Sequence, residues 1–431
     1  MRRFVLALSL YTLPGSALAQ QRAVTLSQAV ELAARVDPAV VQAEGTSRTA
    51  GASIRVAWGT FLPAIRTGLN YGKSFSALPS RTDPLTGEVI TGGVTQGSLN
   101  LNAQASIDLF TGFRRGAQLS EARAGVAEAD AGYVDARAQS TLRTTDQFIA
   151  ALRAADLVRA QQDAIRRAEE KLAIATARLT TRAATVSDSL DAVVDLFRAR
   201  TQLLAQQRSL AEAEATLGRM IGAEGRVSAT PDSSLFELAT IGDPAGLLAE
   251  AQRGSPAVLR AEARERAARA RVGIAKSSYW PTLNLGASTS LNGSSQTNYD
   301  LSNSRGFSLG LSWPLFNGFQ RERILSQAHA ENDYTRAVAA DTRRDVIARL
   351  GSQLEALRTA EERILLSTQS LEAARANARI KTERYRLGTL QITELNLAQE
   401  ALSGAEQEAI NARYDYLRVR AQIEAILGRK I

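Results

Sequence analysis

The chain has 431 residues, of which 45% are hydrophobic and only 5% aromatic, and its formal net charge is +8. It contains no cysteine, which excludes disulfides, zinc–cysteine sites and thiol nucleophiles. Its one histidine, His329, lies among polar residues of a predicted helix surface, so neither metal binding nor Ser-His catalysis is expected. The basic residues alternate with acids and form no block interleaved with aromatic residues, so nucleic acid is not a predicted partner.

The N-terminal residues have the pattern of a secretory signal peptide. Arg2 and Arg3 precede an apolar run over residues 4–13, and small residues lead to Ala19. We therefore predict a signal peptide over residues 1–19, with cleavage after Ala19 and export of the mature chain. No later segment offers about 18 consecutive apolar residues, so any membrane span must be built from β-strands.

The chain contains two copies of one unit. Asp37-Pro38-Ala39-Val40 resembles Ser255-Pro256-Ala257-Val258, and the prolines are 218 positions apart. Leu109-Phe110-Thr111-Gly112-Phe113 resembles Leu315-Phe316-Asn317-Gly318-Phe319, and the glycines are 206 positions apart. Such matches keep their register over long spans, which indicates a tandem duplication. The predicted first repeat, linker and second repeat cover residues 20–222, 223–244 and 245–431.

The first repeat is predicted to run helix, strand, strand, long helix, helix. A helix over about residues 26–60 precedes a strand at about 63–73, and a polar loop rich in Gly, Ser and Thr follows. The return strand covers about 97–110 and leads into a long helix over about 113–180. A turn then leads into a shorter helix.

The second repeat follows the same order. Its first helix covers about residues 245–278, its strands about 281–291 and 305–316, and its long helix about 319–385. Leu350, Leu357, Ile364 and Leu371 recur in this helix at seven-residue spacing. A long heptad pattern predicts packing on other helices as in a coiled coil, and at 1.5 Å per residue the helix would be roughly 100 Å long.

The predicted strands alternate apolar and polar residues, as Leu99, Leu101 and Ala103 do with polar residues between them. Ten-residue alternation is what a membrane β-barrel requires, although a soluble sandwich could also use it. Four strands cannot close a barrel, so the chain must oligomerise: two copies would supply eight strands and three would supply twelve. The small polar residues favour a water-filled lumen. Junctions between barrel and helices are predicted at Pro63, Gly112, Pro281 and Gly318.

Several motifs near the C-terminus carry a family resemblance. Tyr385-Arg386-Leu387-Gly388-Thr389, Thr393-Glu394-Leu395 and Asn411-Ala412-Arg413-Tyr414-Asp415-Tyr416-Leu417, with Leu427-Gly428, resemble the TolC family of outer-membrane efflux proteins. The resemblance covers essentially the whole mature chain. It implies a mainly α fold with a small membrane β part. It further implies a homotrimer whose twelve-stranded outer-membrane β-barrel is continued by a periplasmic α-helical coiled-coil barrel.

The resemblance also implies a periplasmic entrance or gate at the helix turns. The matching positions are Asp188, Asp191, Glu394, Tyr385 and Gly388. A second acidic position of the family is Leu397 here, and its arginine position is Leu390. Gly388 has Arg182 as its counterpart in the first repeat, so that turn is expected to be made differently. The acids have a second interpretation, as residues that favour a helix N-terminus.

Three functions compete to explain these features. The first is a passive exit duct of a tripartite efflux or type I secretion system, with a periplasmic adaptor, an inner-membrane pump or ABC transporter and outer-membrane lipid as partners. The second is a structural coiled-coil protein of the envelope, which leaves the alternating strands unexplained. The third, a barrel enzyme, is disfavoured because the strands carry only scattered Ser, Asn and Asp108. No cofactor, metal or catalytic residue is predicted, and drugs, metal ions, polysaccharide or polypeptide all remain open as cargo.

Overall fold

The computed structural model describes most of the chain after the predicted signal peptide, which lies outside the described residues together with residues 20 and 21. The described ranges are residues 22–77, 81–82, 84–87, 89–90, 93–237, 243–295 and 298–431. The chain divides into two compact units. Unit 1 consists of residues 1–42, 134–256 and 345–431, and unit 2 of residues 43–133 and 257–344. Their boundaries fall inside helices.

Each repeat begins with two helices where the sequence predicted one. Helices α1 (Leu26–Val36) and α2 (Pro38–Gly59) replace the predicted helix over residues 26–60. Helices α5 (Pro244–Gly254) and α6 (Pro256–Ser277) likewise replace the one over 245–278. The cause is the residue before each proline, because the proline ring disfavours helical torsions there. Asp37 accordingly has an extended conformation, with φ −63° and ψ 118°.

The two long helices have the same length. Helices α3 (Arg114–Thr180) and α7 (Gln320–Arg386) each contain 67 residues, and neither contains a proline. They are followed by α4 (Val186–Met220) and α8 (Ile392–Leu427). None of the helices in the described ranges is both long enough and apolar enough to cross a bilayer. In unit 1 the predicted heptad residues Leu350 and Leu357 are fully buried, which agrees with helix-on-helix packing.

Unit 1 contains a small parallel strand pair that the sequence did not predict. Strand β1 (Arg22–Val24) pairs with β6 (Val227–Ala229), which lies in the predicted linker. Val24 and Val227 are both buried. A 3₁₀-helix follows at Ser233–Phe236. Three residues are too few to show a period of two, so periodicity could not reveal this pair.

Unit 2 contains a four-stranded antiparallel sheet in the order β2, β5, β7, β8. The strands are β2 (Ala64–Ala77), β5 (Gly93–Phe110), β7 (Thr282–Ser294) and β8 (Ser302–Ser312). A short pair, β3 (Arg81–Thr82) and β4 (Val89–Ile90), lies in the chain between β2 and β5. The strands run further into the loops than predicted, because ladder hydrogen bonds join backbone groups and do not require apolar side chains.

The strand register separates apolar from polar residues. On one face Leu69 pairs with Leu101, and Leu101 with Leu291. On the other face Asn70 pairs with Asn100, and Asn100 with Asn292. The side chains of Asn100 and Asn292 are hydrogen-bonded to each other. Since side chains alternate along each strand, this register gives the sheet one apolar face and one face of amides and hydroxyls.

Candidate functional site

The predicted entrance residues lie in unit 1, around two turns that join helices. We call the α3–α4 turn (residues 181–185) and the α7–α8 turn (residues 387–391) together the turn region. Both turns end their helix with the same pair of backbone hydrogen bonds. Ala183 N–H donates to the carbonyl of Arg178 at 2.8 Å, and Arg182 N–H donates to that of Leu179 at 3.0 Å.

The α7–α8 turn repeats this pattern 206 positions later. Thr389 N–H donates to the Arg384 carbonyl at 3.0 Å, and Gly388 N–H to that of Tyr385 at 3.1 Å. This is a Schellman arrangement, which places one residue in the left-handed region. That residue is Gly388 (φ +83°) in one turn and Arg182 (φ +60°) in the other. The expectation that the Arg182 turn is made differently is therefore wrong: the arginine adopts the left-handed conformation itself.

Asp188 takes part in the start of helix α4. Its backbone N–H donates to Thr185 Oγ1 at 3.2 Å, and its Oδ2 accepts from the Thr185 backbone N–H at 3.0 Å. This reciprocal capping box satisfies two backbone N–H groups that have no partner within the helix. Asp191, three residues later, is exposed on α4. The structure thus gives Asp188 the helix-capping role that was the second interpretation of the acids.

Glu394 has a different partner although it also lies in the first turn of a helix. Helix α8 begins after Gln391, whose side chain makes no capping hydrogen bond. The Glu394 carboxylate instead lies 3.4 Å from Lys381 Nζ on α7. The Glu394 side chain is 54% exposed, so this ion pair contributes little stability. The two acids that the sequence grouped together therefore differ in their local roles.

Tyr385 lies in the core of the turn region. It is 1% exposed and packs in a buried cluster with Ile174, Ala175, Ala192, Ile392 and Leu395. Leu390, at the family's arginine position, packs against the same cluster. The Tyr385 hydroxyl is buried without a hydrogen-bond partner. Burial raises the pKa of Tyr385, and the charge of Asp188 raises it further while that of Arg178 opposes the shift.

Sequence reasoning missed two basic residues of α3 that join helices in unit 1. Lys171 is 3% exposed and donates to Asp195 of α4 at 2.5 Å and to Asn396 of α8 at 2.8 Å. Arg178 contacts the carbonyl of Ala183 in the α3–α4 turn, and both the carbonyl and the ring of Tyr385 at the end of α7. The only signal in the sequence was a lysine between the heptad positions Ile165 and Leu172, because the contacts with Asn396 and Tyr385 link residues more than 200 positions apart.

The predicted junctions lie in unit 2 at the ends of the strands. Strand β2 begins one residue after Pro63, and β7 begins one residue after Pro281. After the return strands, Gly112 and Phe113 have φ of +60° and +66°. Gly318 and Phe319 repeat this with +66° and +63°. Each return strand therefore leads into its long helix through two consecutive residues with positive φ.

Aromatic side chains surround the junctions. Phe113 lies edge-on to Phe110, with ring centroids 5.4 Å apart, and to Trp280 at 5.7 Å. Phe316 and Phe319 repeat an edge-on contact at 5.5 Å. Trp313 Nε1 donates to the Tyr279 carbonyl at 3.2 Å. Trp280, Trp313 and the phenylalanines at 113, 316 and 319 are each more than half exposed, as expected for aromatic residues at a lipid–water boundary.

The chemistry of these residues is that of helix capping, packing and ion pairing. Within the described ranges, no group of three or more His, Cys, Asp or Glu side chains is arranged to hold a metal ion.

The comparison with known families identifies the class of protein. The family of outer membrane efflux proteins matches residues 29–223 and 247–429, which together exceed half of the chain. The chain therefore belongs to the outer membrane efflux protein family, and the resemblance to TolC-like proteins and the outer-membrane localisation are confirmed. The two matched segments correspond to the two repeats.

Two relatives show how far the likeness extends. Outer membrane protein TolC of Escherichia coli is 27% identical over 194 residues, covering 42% of this chain and 39% of that protein. Pyoverdine export outer membrane protein OpmQ of Pseudomonas putida is 22% identical over 416 residues, covering 94% of this chain and 85% of OpmQ.

Solved structures have the same fold. The outer membrane protein VceC of Vibrio cholerae is 19% identical, with a TM-score of 0.76 over 94% of this chain and 96% of that one. CusC, whose structures were described for its transmembrane channel formation, is 17% identical, with a TM-score of 0.80 over 94% and 92% of the two chains. The predicted mainly α fold with a small β part is confirmed.

The two junction glycines should respond differently to the same substitution. A Cβ on Gly112 would lie 2.5 Å from the Ser277 carbonyl oxygen and 2.7 Å from Trp280 Cβ, whereas Gly318 has nothing within 4 Å. Alanine would be strained by the positive φ at both positions. Only Gly112→Ala would also force a backbone shift, which should lower the free energy of unfolding by about 1–3 kcal/mol more. The apparent Tm of the purified variants measures the difference. Equal losses would contradict this account of the junction.

The two turns offer a reciprocal test. Gly388→Ala should destabilise the α7–α8 turn by about 1 kcal/mol, because alanine disfavours the left-handed region. Arg182→Gly should stabilise the α3–α4 turn by up to about the same amount. Hydrogen exchange of the Ala183 and Thr389 amides reports each turn: the first should slow in Arg182→Gly and the second should accelerate in Gly388→Ala. Unchanged exchange in both variants would mean that neither turn depends on the left-handed residue.

Proposed function

We propose that this chain is one subunit of a homotrimeric exit duct in the outer membrane. The duct passively conducts substrate that a periplasmic adaptor and an inner-membrane pump or ABC transporter deliver. The observation that carries the proposal is the two-faced sheet of unit 2, whose first and last strands are β2 and β8. The alternative, a structural envelope protein, does not explain why the sheet has one apolar and one polar face.

The sheet has the properties of part of a membrane barrel. Its strands contain 11 to 18 residues, at or above the roughly 9–11 that a tilted membrane strand needs. The apolar residues on β2 and β8 are strongly exposed, from 64% for Tyr71 to 88% for Phe307. In hydrocarbon, the free backbone groups along β2 and β8 would each cost several kcal/mol, so both edges require strands from other copies.

The polar face favours three copies over two. Two copies would supply eight strands, whose interior is filled by side chains, whereas three would supply twelve and leave room for water. The polar face carries small amides and hydroxyls, such as Asn102, Ser290 and Ser288 on neighbouring strands. These side chains are suited to contact with water. Twelve strands from three copies therefore fit the chemistry of the sheet.

The helices of unit 1 support the same conclusion independently. Ile174 of α3 is buried against Ile392 and Leu395 of α8. The counterparts of Ile174 and Ile392, 206 positions away, are Ile380 of α7 and Val186 of α4, which are 51% and 62% exposed. The contact between α3 and α8 is made within one chain, whereas the corresponding contact between α7 and α4 would need a second copy. A ring in which α7 of one copy packs on α4 of the next would bury both side chains.

Helix α4 carries a row of exposed apolar residues that such a ring would cover. Five residues form this row, with three, four or seven positions between neighbours. Each is more than half exposed: Val186, Leu190, Val194, Phe197 and Leu204. Spacing of this kind is that of a coiled-coil seam. The interaction between copies would therefore extend the helix packing that exists within one chain.

The partners and the cargo follow from the class of protein. The relatives include a pyoverdine export protein and a toluene efflux pump component, both of Pseudomonas putida. Their names give different cargoes although both are similar to this chain in sequence, so we assign selection of the cargo to the pump. We place the periplasmic entrance at the turn region, with Asp188, Asp191 and Glu394 near its mouth. The long helices would extend from the membrane into the periplasm.

Two measurements on the purified protein test the proposal. In detergent, the particle should have the mass of three chains, because both sheet edges and the exposed row on α4 require neighbours. In a planar bilayer, the trimer should give single-channel currents, and Asp188→Ala combined with Glu394→Ala should change their size or ion selectivity. A stable monomer would contradict the architecture, and a trimer without currents would favour the structural envelope protein.

A further inference from the structure

One guanidinium contacts the α3–α4 turn and the last turn of α7, which leads into the α7–α8 turn. Arg178, in the last turn of α3, donates from Nη2 to the Ala183 carbonyl of its own turn at 2.9 Å. The same side chain donates from Nη1 to the Tyr385 carbonyl at 2.9 Å, at the end of α7. The planar fork of arginine can hold two acceptors in fixed directions, which lysine cannot do.

Both carbonyls belong to the hydrogen-bond pattern that ends the helices. The Tyr385 carbonyl also accepts from Gly388 N–H at 3.1 Å, so Arg178 occupies its second lone pair. The Arg178 carbonyl accepts from Ala183 N–H at 2.8 Å, while the Arg178 side chain returns a bond to Ala183. The side chain is therefore bonded into the terminal structure of α3 and of α7 at once.

The Tyr385 ring provides a third contact. The guanidinium carbon of Arg178 lies 4.6 Å from the ring centroid, a cation–π geometry. Neither the Tyr385 hydroxyl nor Arg178 Nε has a hydrogen-bond partner, although both atoms are buried. Tyr385 therefore holds Arg178 through its ring face and its backbone carbonyl.

We propose that Arg178 is a positioning residue that ties the α3–α4 turn to the α7–α8 turn, so that the two turns of one chain move together. This tie also limits the width of the entrance; this second part rests on the proposed function, in which the turn region forms the entrance. The repeat provides an internal control. Arg384 is the counterpart of Arg178 and lies exposed, and the counterpart of Tyr385 is Leu179, which has no aromatic ring.

Hydrogen exchange tests the tie without reference to transport. In the full-length protein, Arg178→Gln should accelerate exchange at both Ala183 and Gly388 by about tenfold, the effect of losing a hydrogen bond from a charged donor. Arg384→Gln should leave both amides unchanged. If Arg178 only capped its own helix, exchange would rise at Ala183 alone, and that result would overturn the proposal.

The tyrosine gives a second pair of variants, which remains informative if Arg178→Gln fails to fold. Tyr385→Phe keeps the ring and the carbonyl, so exchange at Ala183 and Gly388 should match that of the unmodified protein. Tyr385→Leu removes the ring while keeping an apolar side chain, and should accelerate exchange at both turns. A large effect of Tyr385→Phe would show that the hydroxyl matters and would overturn the assigned geometry.

Single-channel currents connect the tie to the entrance. Arg178→Gln should raise the mean current through a reconstituted channel, and Arg384→Gln should not. Faster exchange at both turns with unchanged currents would uphold the tie and overturn its control of the entrance. If the unmodified protein itself conducts no current, the proposed function fails, while the exchange result still decides whether Arg178 joins the turns.

Discussion

One chain covers only part of the apolar surface and pairs only part of the strand edges that its fold presents. Duplication produced two similar repeats, and the contact of α3 with α8 buries Ile174 against Ile392 within the chain. The corresponding residues of α7 and α4, Ile380 and Val186, remain exposed. The four-stranded sheet has the same property, because its order leaves β2 and β8 as the outer strands. Apolar surface and free backbone groups both favour burial, and this supports the proposal that the chain associates with copies of itself.

The two repeats reach similar backbones with different residues. Gly388 and Arg182 both occupy the left-handed region at the end of a long helix, although only glycine does so without steric cost. Asp188 caps α4 through a reciprocal contact with Thr185, whereas Glu394 of α8 pairs with Lys381. Tight packing around the turn region determines its backbone more strongly than the local preference of any one residue.

Much of the fold was accessible from the sequence, because the duplication gave each long helix and each strand of the four-stranded sheet a second example. Alternation located the strands, and proline-free heptad stretches located α3 and α7. The helix breaks at Pro38 and Pro256 were missed, since both prolines served only to align the repeats. The turn at Arg182 was misjudged because the absence of glycine was taken to exclude positive φ. The contact of Arg178 with Tyr385 could not be predicted from the sequence, because the two residues are 207 positions apart and follow no period.

The central claim is that α4 of one copy covers α7 of the next, as α8 covers α3 within a chain. The chain contains no cysteine, so introduced pairs can be oxidised without background. A protein carrying Val186→Cys and Ile380→Cys should form covalent dimers and trimers, and nothing larger, on a denaturing gel. A protein carrying Ile174→Cys and Ile392→Cys should remain a monomer, because its disulfide lies within one chain. Cross-linking of the first pair within a monomer, or a ladder that extends beyond three chains, would contradict the account.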